Sequence, residues 1–568
     1  MKFINKIEFS SQIWGCPDGA NMLALADRVG AGGPLVYVAR DDVRMMAMRD
    51  ALALLLPQAE VLMFPAWDCL PFDRLSPQGS LVGQRIETLA RLRGLIPTPY
   101  NDPDHTKNKD TATPPAVLLT TVNAFIQRVP PQTYFANQAL TLSPGDEIGP
   151  AGLASFLGNL NYLRTDTVRE TGEFGVRGGI VDIFPPGSPA PVRLDFFGDE
   201  LETIRNFDAA SQRGGETCPH LTLRPVAEFQ LDAETIERFR SGYLVAFGAA
   251  ASRDSLYESV SAGRMHPGVE HWLPLFHANL HTLSDYCPGW HIYLDHEADG
   301  AIAARFDQIT DFHQARYDSD TGDGSAPYRP LPADQLYLRR EEAESQLALA
   351  CRLFQFAASS PDGAKTGDAG GRAGLVFSRS RAAGTSTVAE VAQAIQSERG
   401  AANRPILLTV SGEGAAARLD DLLTPHLGAG GLATIDRLDA IAGPGVYLMQ
   451  WGLETGFQTD NLLLISETDI FGQRLSRPRA KRARGDDFLR EVSSLETGDL
   501  VVHAEHGIGR YEGLLIINSS GGAHDCLQLI YAGGDKLYLP VENIEMLSRY
   551  GNTGSDSQLD RLGGAAWQ

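Results

Sequence analysis

Residues 173–208, EFGVRGGIVDIFPPGSPAPVRLDFFGDELETIRNFD, alternate apolar and polar side chains with a period of two. Successive side chains of a strand point to opposite faces of a sheet, so this pattern predicts strands that bury one face and expose the other. The segments PPGSPAP and FGDE between the runs are typical of hairpin turns. The predicted buried row contains Phe174, Val176, Ile180, Val192, Leu194 and Phe196, and the predicted outward row contains Arg177, Arg193, Asp195 and Phe197.

The 568 residues are too many for one hydrophobic core, and the patterns around this β segment divide the chain into several units. The runs PLVYVAR and AVLLTTV, with a stretch of helical composition after the first, indicate an α/β fold, and RPILLTV, VYLMQW and NLLLIS indicate another. Closely spaced short strands and glycine turns near the C-terminus indicate a small β-barrel. We therefore predict an α/β multidomain chain with an α/β part at 1–138, an inserted β domain at 139–225, a continuation of the α/β part at 226–350, a second α/β domain at 374–470, a basic linker at 471–492, the β-barrel at 493–552 and a terminal segment at 553–568.

Two segments have the composition of linkers. Residues 359–374, SSPDGAKTGDAGGRAG, are rich in glycine and aspartate, which predicts an irregular connection. Residues 474–484, RLSRPRAKRAR, form the one dense basic run in a chain whose formal net charge is −22. Such a chain repels phosphate as a whole, so DNA binding would need a local basic surface. The surrounding proline and glycine favour a solvated linker for this run.

No segment indicates a membrane span or an oxidising compartment. Apolar runs such as ALALLL at 51–56 are far shorter than a bilayer, and the N-terminus lacks the apolar region of a signal peptide. Six widely spaced cysteines without a C-x-x-C pair indicate neither a disulfide framework nor a zinc ribbon. His503 and His506 could supply two metal ligands, fewer than a zinc site needs. We expect a cytoplasmic protein without a metal site.

The chain contains no nucleotide-binding P-loop, G-x-x-x-x-G-K-[ST]. Its nearest imitations are WGCPDGANM at 14–22 and GAKT at 363–366. The acidic run YLDHEAD resembles the strand end that holds magnesium beside a P-loop, but Asp295 and Glu297 have no partnered P-loop lysine and are better explained as a strand-end loop. We therefore predict no catalytic site and no cofactor within these residues.

Two surfaces remain as candidates for binding other proteins. Arg177, Arg193 and Phe197 share the outward row of the β domain, and arginine and aromatic residues are enriched at interface hot spots. The alternative is that Phe197 covers the edge of the core while the arginines pair with Asp195 or Glu200.

The second candidate lies in the predicted barrel, where LLII at 514–517 places apolar residues on both faces of the strand. Leu515 and Ile517 would then either lie on an exposed edge that recruits a strand from another chain, or be buried against a neighbour.

The segment RETGEFGVRGGIVDIFPPGSPAPVRLDFFGDELETIRNFDAASQR resembles the domain shared by the excision-repair protein UvrB and the bacterial transcription-repair coupling factors, the Mfd family. GDLVVHAEHGIGRYEGL and KLYLPVENIEMLSRYG resemble the polymerase-interacting domain that these factors share with CarD-type regulators. The coupling-factor family has both domains in this order. The resemblance extends from about residue 10 to the end of the sequence and is weaker in the second α/β domain.

The resemblance implies a RecA-like, UvrB-like α/β module with a degenerate nucleotide site, in which Gly19, Ala20 and Asn21 replace the G-K-T of the P-loop. It also implies an SH3- or Tudor-like fold for the barrel. The family's contacts with the ATPase UvrA map onto Arg177, Arg193 and Phe197, and its apolar contact with the β subunit of RNA polymerase maps onto Ile517.

The family continues into a motor that uses ATP and magnesium to move along double-stranded DNA, whereas this sequence stops at LDRLGGAAWQ. We therefore expect a two-ended adaptor without ATPase activity, equivalent to the N-terminal half of a coupling factor. A UvrB-like damage-binding protein and a CarD-like transcription regulator are the alternatives. The first would need a P-loop, and the second would leave most of the chain without a task.

Overall fold

The computed structural model describes residues 3–5, 11–95, 116–135, 138–318, 328–356, 366–375, 377, 387–401, 404–427, 431–471, 497–503, 506–519, 522–540, 547–549 and 559. Of the predicted basic linker at 471–492 only the first residue is described, and of the terminal segment at 553–568 only residue 559. The other residues of these two segments lie outside the described part of the chain.

The first α/β unit begins with strands and helices that alternate along the chain. The strands predicted at 34–40 and 116–122 and the intervening helix are confirmed. The second helix begins after Asp41, whose side chain accepts a hydrogen bond from the amide of Arg44 at 2.9 Å, as expected of an N-cap aspartate. The elements are β1 (Gln12–Trp14), α1 (Ala20–Gly30), β2 (Leu35–Ala39), α2 (Asp42–Leu55), β3 (Glu60–Phe64), α3 (Gly79–Leu95), β4 (Ala116–Thr121) and α4 (Val122–Phe125).

The β domain follows as a continuous segment, and its predicted strands and hairpins are confirmed. Six of its strands form one sheet in the order β11-β10-β9-β8-β7-β6. One face of this sheet is buried by a helix and by apolar residues such as Leu153, Val181 and Leu194. The elements are β5 (Leu140–Leu142), α5 (Gly149–Asn159), β6 (Leu163–Arg164), β7 (Glu173–Arg177), β8 (Ile180–Ile183), β9 (Val192–Phe197), β10 (Glu200–Phe207), β11 (Gly214–Thr217) and β12 (Leu221–Leu223).

The chain then returns to the first α/β unit and completes its sheet. This sheet has seven strands in the order β15-β1-β14-β13-β2-β4-β3, and every pairing is parallel. The carboxyl ends of parallel strands lie at one edge of a sheet, where α/β proteins place their ligands. The elements of this return are α6 (Ala233–Phe247), α7 (Ser255–Ser261), β13 (His291–Leu294), α8 (Ala298–Asp318), α9 (Ala333–Leu336), α10 (Arg340–Leu347), β14 (Cys351–Leu353) and β15 (Thr366–Asp368).

The second α/β domain has a six-stranded sheet in the order β16-β20-β21-β17-β19-β18. The predicted irregular linker at 359–374 is wrong for its described part, because residues 366–368 pair with β1 of the first sheet and residues 372–373 pair with β20 of the second. Pairing with distant strands thus orders a segment whose composition indicates a loop. The elements are β16 (Arg372–Ala373), α11 (Thr387–Ala401), β17 (Ile406–Val410), α12 (Glu413–Leu427), β18 (Ala433–Ile435), β19 (Val446–Gln450), β20 (Phe457–Thr459), β21 (Leu462–Ser466) and α13 (Glu467–Phe471).

The last described strands form an antiparallel sheet, the C-terminal sheet, in the order β25-β24-β23-β22-β26. It packs on the first α/β unit through Ile508, which is buried against Leu75. Its strands are β22 (Leu500–His503), β23 (Gly507–Ser519), β24 (Gly522–Ile530), β25 (Lys536–Pro540) and β26 (Leu547–Arg549). Short 3-10 helices occur at Gln132–Phe135, Ala249–Arg253, Val269–Leu275, Leu283–Tyr286, Leu438–Ala440 and Ala532–Gly534.

The core of the first α/β unit contains a fully buried ion pair. Arg85 on α3 donates from Nε to Oε1 of Glu228 at 2.5 Å, and neither side chain is more than 1% exposed. The guanidinium also donates to the carbonyl of Pro65 at 2.9 Å and lies over the ring of Phe64 at 4.2 Å. Since Glu228 lies after the β domain and Arg85 before it, this pair joins the two halves of the unit.

Helices long and apolar enough to cross a bilayer are absent from the described part of the chain.

Candidate binding surfaces

Phe197 lies at one end of the sheet of the β domain, where a two-residue turn joins β9 to β10. It pairs with Glu200 across the turn, and Gly198 takes a left-handed conformation with φ of +65°, which glycine adopts without strain. The Phe197 side chain is 76% exposed, although Phe196 beside it is buried. Phe197 therefore does not cover the edge of the core, contrary to the alternative interpretation of its sequence position.

Ile180 lies on the same outward face, so its predicted place in the buried row is wrong. It is 36% exposed and pairs with Arg177 across the turn formed by Gly178 and Gly179. Residues that pair directly across two antiparallel strands point to the same face. Because Arg177 is exposed, Ile180 must also face outward. The sequence contained this signal, since a two-residue glycine turn fixes which residues are opposite each other.

Arg177 is held in place by the loop before β7. Its guanidinium donates to the carbonyl oxygen of Asp166 and, at 3.2 Å, to the hydroxyl of Thr167. Among the described residues, no carboxylate lies within ion-pair distance of Arg177. Its charge is therefore positioned by neutral oxygens and stays available to an acidic partner.

Arg193 is anchored more firmly. It forms a two-pronged ion pair with Asp182 on the neighbouring strand, at 2.7 Å and 2.9 Å, and its guanidinium lies 4.9 Å from the centre of the Phe207 ring. The hydrogen bonding of its guanidinium to the Asp182 carboxylate raises the pKa of Arg193. Asp182 is only 6% exposed on its side chain, against 25% for Arg193. The guanidinium is thus fixed in orientation, with one edge left at the surface.

The partner of Arg193 differs from both carboxylates considered from the sequence. Asp195 instead accepts a hydrogen bond from Thr203 at 2.8 Å and lies 3.6 Å from Arg205. Sequence reasoning missed Asp182 because the pairing of β8 with β9 depends on register, which the alternation alone does not give. We call the surface formed by Arg177, Ile180, Arg193 and Phe197 the outer face.

The C-terminal sheet offers a strand edge. Strand β23 pairs with β22 only over residues 507–510, whereas it pairs with β24 as far as residue 519. Leu515 is half-buried and lies opposite Cys526, and the backbone of Ile517 lies opposite His524. Among the described residues, the stretch around Leu515 and Ile517 therefore has a ladder partner on one side only. Such an edge can accept a further strand.

We call residues 15–19 the cradle loop; they connect β1 to α1 and contain Gly19, one of the three residues predicted to replace a P-loop motif. Gly19 precedes the helix with φ of +86°, and Ala20 and Asn21 begin it. Both Ala20 and Asn21 are buried, at 0% and 2% exposure. The side chain of Asn21 accepts a hydrogen bond from the amide of Met22 at 2.7 Å. The residues at the lysine and threonine positions therefore point into protein.

The acidic strand end beside this loop is neutralised by an arginine. Asp295, which follows β13, is buried and binds Arg44 through two hydrogen bonds, one of them 2.9 Å long. Arg44 also lies 2.9 Å from Asp18 in the cradle loop. A carboxylate engaged in this way cannot hold magnesium without losing its partner. Groups of three or more potential metal-ligating side chains do not occur in the described part of the chain.

Comparison with known proteins gives two family models that match parts of this chain. A family model described as the UvrB interaction domain matches residues 140–229, which include the outer face. A second family model, the CarD-like/TRCF RID domain, matches residues 495–551, which include Leu515 and Ile517. The transcription-repair-coupling factor of Escherichia coli (strain K12) is 32% identical over 545 residues, which cover 94% of this chain. The chain is a relative of the transcription-repair-coupling factors.

Coupling factors of other bacteria match over a similar extent. That of Haemophilus influenzae is 30% identical over 558 residues, or 97% of this chain, and that of Mycobacterium tuberculosis (strain CDC 1551 / Oshkosh) is 29% identical over 613 aligned residues, again 97%. These alignments cover 44%, 46% and 45% of the three coupling factors themselves. The chain thus spans less than half the length of the relatives it matches.

Proposed function

We propose that this chain is an adaptor in transcription-coupled DNA repair, which binds RNA polymerase stalled at a lesion and recruits UvrA. The observation that carries this proposal is the presence of both domain types in one chain, in the order found in coupling factors. A CarD-like regulator would use only the second domain. A UvrB-like damage-binding protein would need a nucleotide site, and the cradle loop is filled by protein.

The outer face is the proposed binding site for UvrA. An exposed aromatic side chain next to guanidinium groups combines a large apolar area with directed hydrogen bonds, which is the composition of interface hot spots. The ion pair with Asp182 holds Arg193 in one orientation before binding, so less side-chain entropy is lost on association. Ile180 extends the apolar area beyond the three residues named from the sequence.

The edge of β23 is the proposed binding site for the β subunit of RNA polymerase, through Leu515 and Ile517. Backbone groups on an open edge supply affinity, and side chains along it supply selectivity. We also propose that the C-terminal sheet is a small barrel of the SH3 or Tudor type, and that the first α/β unit is a RecA-like, UvrB-like module. ATP, magnesium and double-stranded DNA are proposed ligands of a motor in the full-length relatives, and not of these residues.

Replacing Phe197 with alanine is expected to weaken binding to purified UvrA by about 30-fold, because truncation of a hot-spot aromatic typically costs about 2 kcal/mol or more. Biolayer interferometry with the immobilised chain measures the dissociation constant directly. Phe356, which is 56% exposed outside the β domain, gives the matched control: Phe356→Ala should bind UvrA as the unmodified chain does. If Phe197→Ala and Phe356→Ala bound UvrA with equal affinity, the outer face would not be the UvrA-binding site.

Replacing Ile517 with arginine is expected to abolish binding to RNA polymerase, because a charge introduced at an apolar contact must be desolvated on association. The thermal melt should change little if the position lies at a free edge. Gel filtration with polymerase and a melting curve supply the two measurements. Val245→Arg, at a side chain that is 88% exposed on α6, is the control. A collapsed melt for Ile517→Arg would instead support a strand buried against a neighbour.

A further inference from the structure

We propose that the second α/β domain acts as a built-in occupant of the cradle loop, taking the place that a nucleotide fills in related folds, and so locks the two sheets together. This gives a role to residues 374–470, which lie outside both proposed binding surfaces. The inference does not depend on the proposed function, because it concerns contacts within the chain.

The first support is the absence of space above the cradle loop. A Cβ atom placed on Gly19 would lie 2.6 Å from Cε1 of Phe457 and 3.1 Å from Cδ1 of Leu453. Phe457 is fully buried and Leu453 is 7% exposed. Both belong to one apolar cluster that also contains Cys16, Ala20 and Leu23 from the first α/β unit. An apolar ring therefore lies where the phosphate of a nucleotide would have to approach the backbone.

The second support is that three amide groups in the first turn of α1, those of Asn21, Met22 and Leu23, already have acceptors. The amide of Asn21 donates to the carbonyl of Pro17 at 3.1 Å, and that of Leu23 donates to the carbonyl of Gly19 at 3.0 Å. The amide of Met22 between them donates to the Asn21 side chain at 2.7 Å. A phosphate site needs such amides free. Here the chain satisfies them internally, as burial under an apolar ring requires.

The third support is the crossing segment, residues 366–373, which binds the cradle loop from the side. After pairing with β1 as β15, the chain donates from the amide of Ala369 to the carbonyl of Trp14 at 2.9 Å and from the amide of Gly371 to the carbonyl of Gly15 at 3.0 Å. It then enters the second sheet as β16. A Cβ on Gly371 would lie 2.5 Å from the Gly15 oxygen, so the two backbones approach closely.

The cradle loop is therefore covered by the apolar side chains of Phe457 and Leu453, and the amides beside it are hydrogen-bonded within the chain. The crossing segment holds the loop through backbone hydrogen bonds. In a nucleotide-binding relative of the same fold, the ligand would bridge the loop to its surroundings, and here the second α/β domain does so permanently. The second sheet is thus a fixed part of the first unit, and the cradle loop is buried except at Asp18.

Cys16, which is 2% exposed within the cradle loop, reports opening of this contact. We expect Phe457→Ala in the full 568-residue chain to raise the rate of Cys16 alkylation by N-ethylmaleimide at least about tenfold. Deletion of a buried phenylalanine ring generally removes more than the 1.4 kcal/mol that a factor of ten represents. Peptide mass spectrometry resolves each cysteine, and Cys287, buried in the other large cluster, should keep its rate.

Leu423→Ala is the matched control, because Leu423 is fully buried in the same domain but in the cluster on the opposite side of its sheet. It should leave the Cys16 rate unchanged, and Phe457→Leu, which keeps an apolar occupant, should raise it less than Phe457→Ala. An unchanged Cys16 rate in Phe457→Ala, or an equal rise in Leu423→Ala, would overturn the proposal. A parallel rise at Cys287 would also overturn it, since the ring would then support the whole fold and not the cradle loop.

Discussion

Replacement of Arg85 by methionine is expected to lower the free energy of unfolding by about 3–5 kcal/mol, because it leaves a buried carboxylate without its partner. Glu228 is 1% exposed and receives its ion pair from Arg85 alone among the described residues. Methionine has a similar volume, so little of the loss should come from a cavity. Urea denaturation followed by intrinsic fluorescence measures the effect, since the Trp67 ring lies 5.5 Å from this guanidinium.

Two further variants separate the charge from the packing. In Arg85→Met combined with Glu228→Leu, no charge is left buried, and most of the lost stability should return. Arg91→Met, on the same helix, removes an arginine that is 53% exposed beside Glu87, and should cost no more than about 1 kcal/mol. If the double variant were as unstable as Arg85→Met alone, the buried charge would not be the cause.

The contribution of Glu270 to the free energy of unfolding should fall between about pH 4.5 and pH 7. Burial raises the pKa of this carboxyl to about 7, from an ordinary value near 4.5. The folded state therefore holds the proton over a range in which the unfolded state has released it, and stability decreases as the pH rises through that range. The difference of about 2.5 between the folded and unfolded pKa values of Glu270 corresponds to about 3 kcal/mol of unfolding free energy. This contribution is lost in full above pH 7.

Glu270→Gln isolates this effect, because the amide oxygen can still accept the hydrogen bond that Ser76 donates to Glu270 at 2.7 Å. The variant should match the unmodified chain at pH 4.5 and exceed its unfolding free energy by up to about 3 kcal/mol at pH 8. Urea titrations of both proteins at the two pH values give the comparison. Burial also lowers the pKa of His271 to about 3, which opposes the slope below pH 6.5 equally in both proteins. A pH-independent difference would contradict the assignment.

The strands of the β domain could be predicted because their signal is local. Alternation along β9 correctly separates Leu194, which is buried, from Phe197, which is exposed. The alternation gave the wrong face for Ile180, because Gly178 and Gly179 form a turn between β7 and β8 and the alternation does not continue through a turn. The partner of Arg193 could not be predicted either, since the pairing of β8 with β9 determines which acid lies opposite, and alternation leaves that register open.

The filled cradle loop shows a different limit of sequence reasoning. The replacement of lysine and threonine by Ala20 and Asn21 predicts a degenerate site, and the sequence alone goes no further than that. That Phe457 lies over this loop depends on the packing of two sheets whose strands are far apart in the chain. For the same reason the crossing segment has the composition of a linker but is ordered as strands, because its partners are supplied by other parts of the fold.

The order of strands in the first sheet has a consequence for synthesis on the ribosome. Its strands come from both sides of the β domain, and the last of them, β15, ends at Asp368. The β domain, by contrast, pairs almost entirely with its neighbours along the chain. Domains generally fold as units while the polypeptide emerges. The nascent chain should therefore present a finished outer face while the first sheet still lacks three of its seven strands.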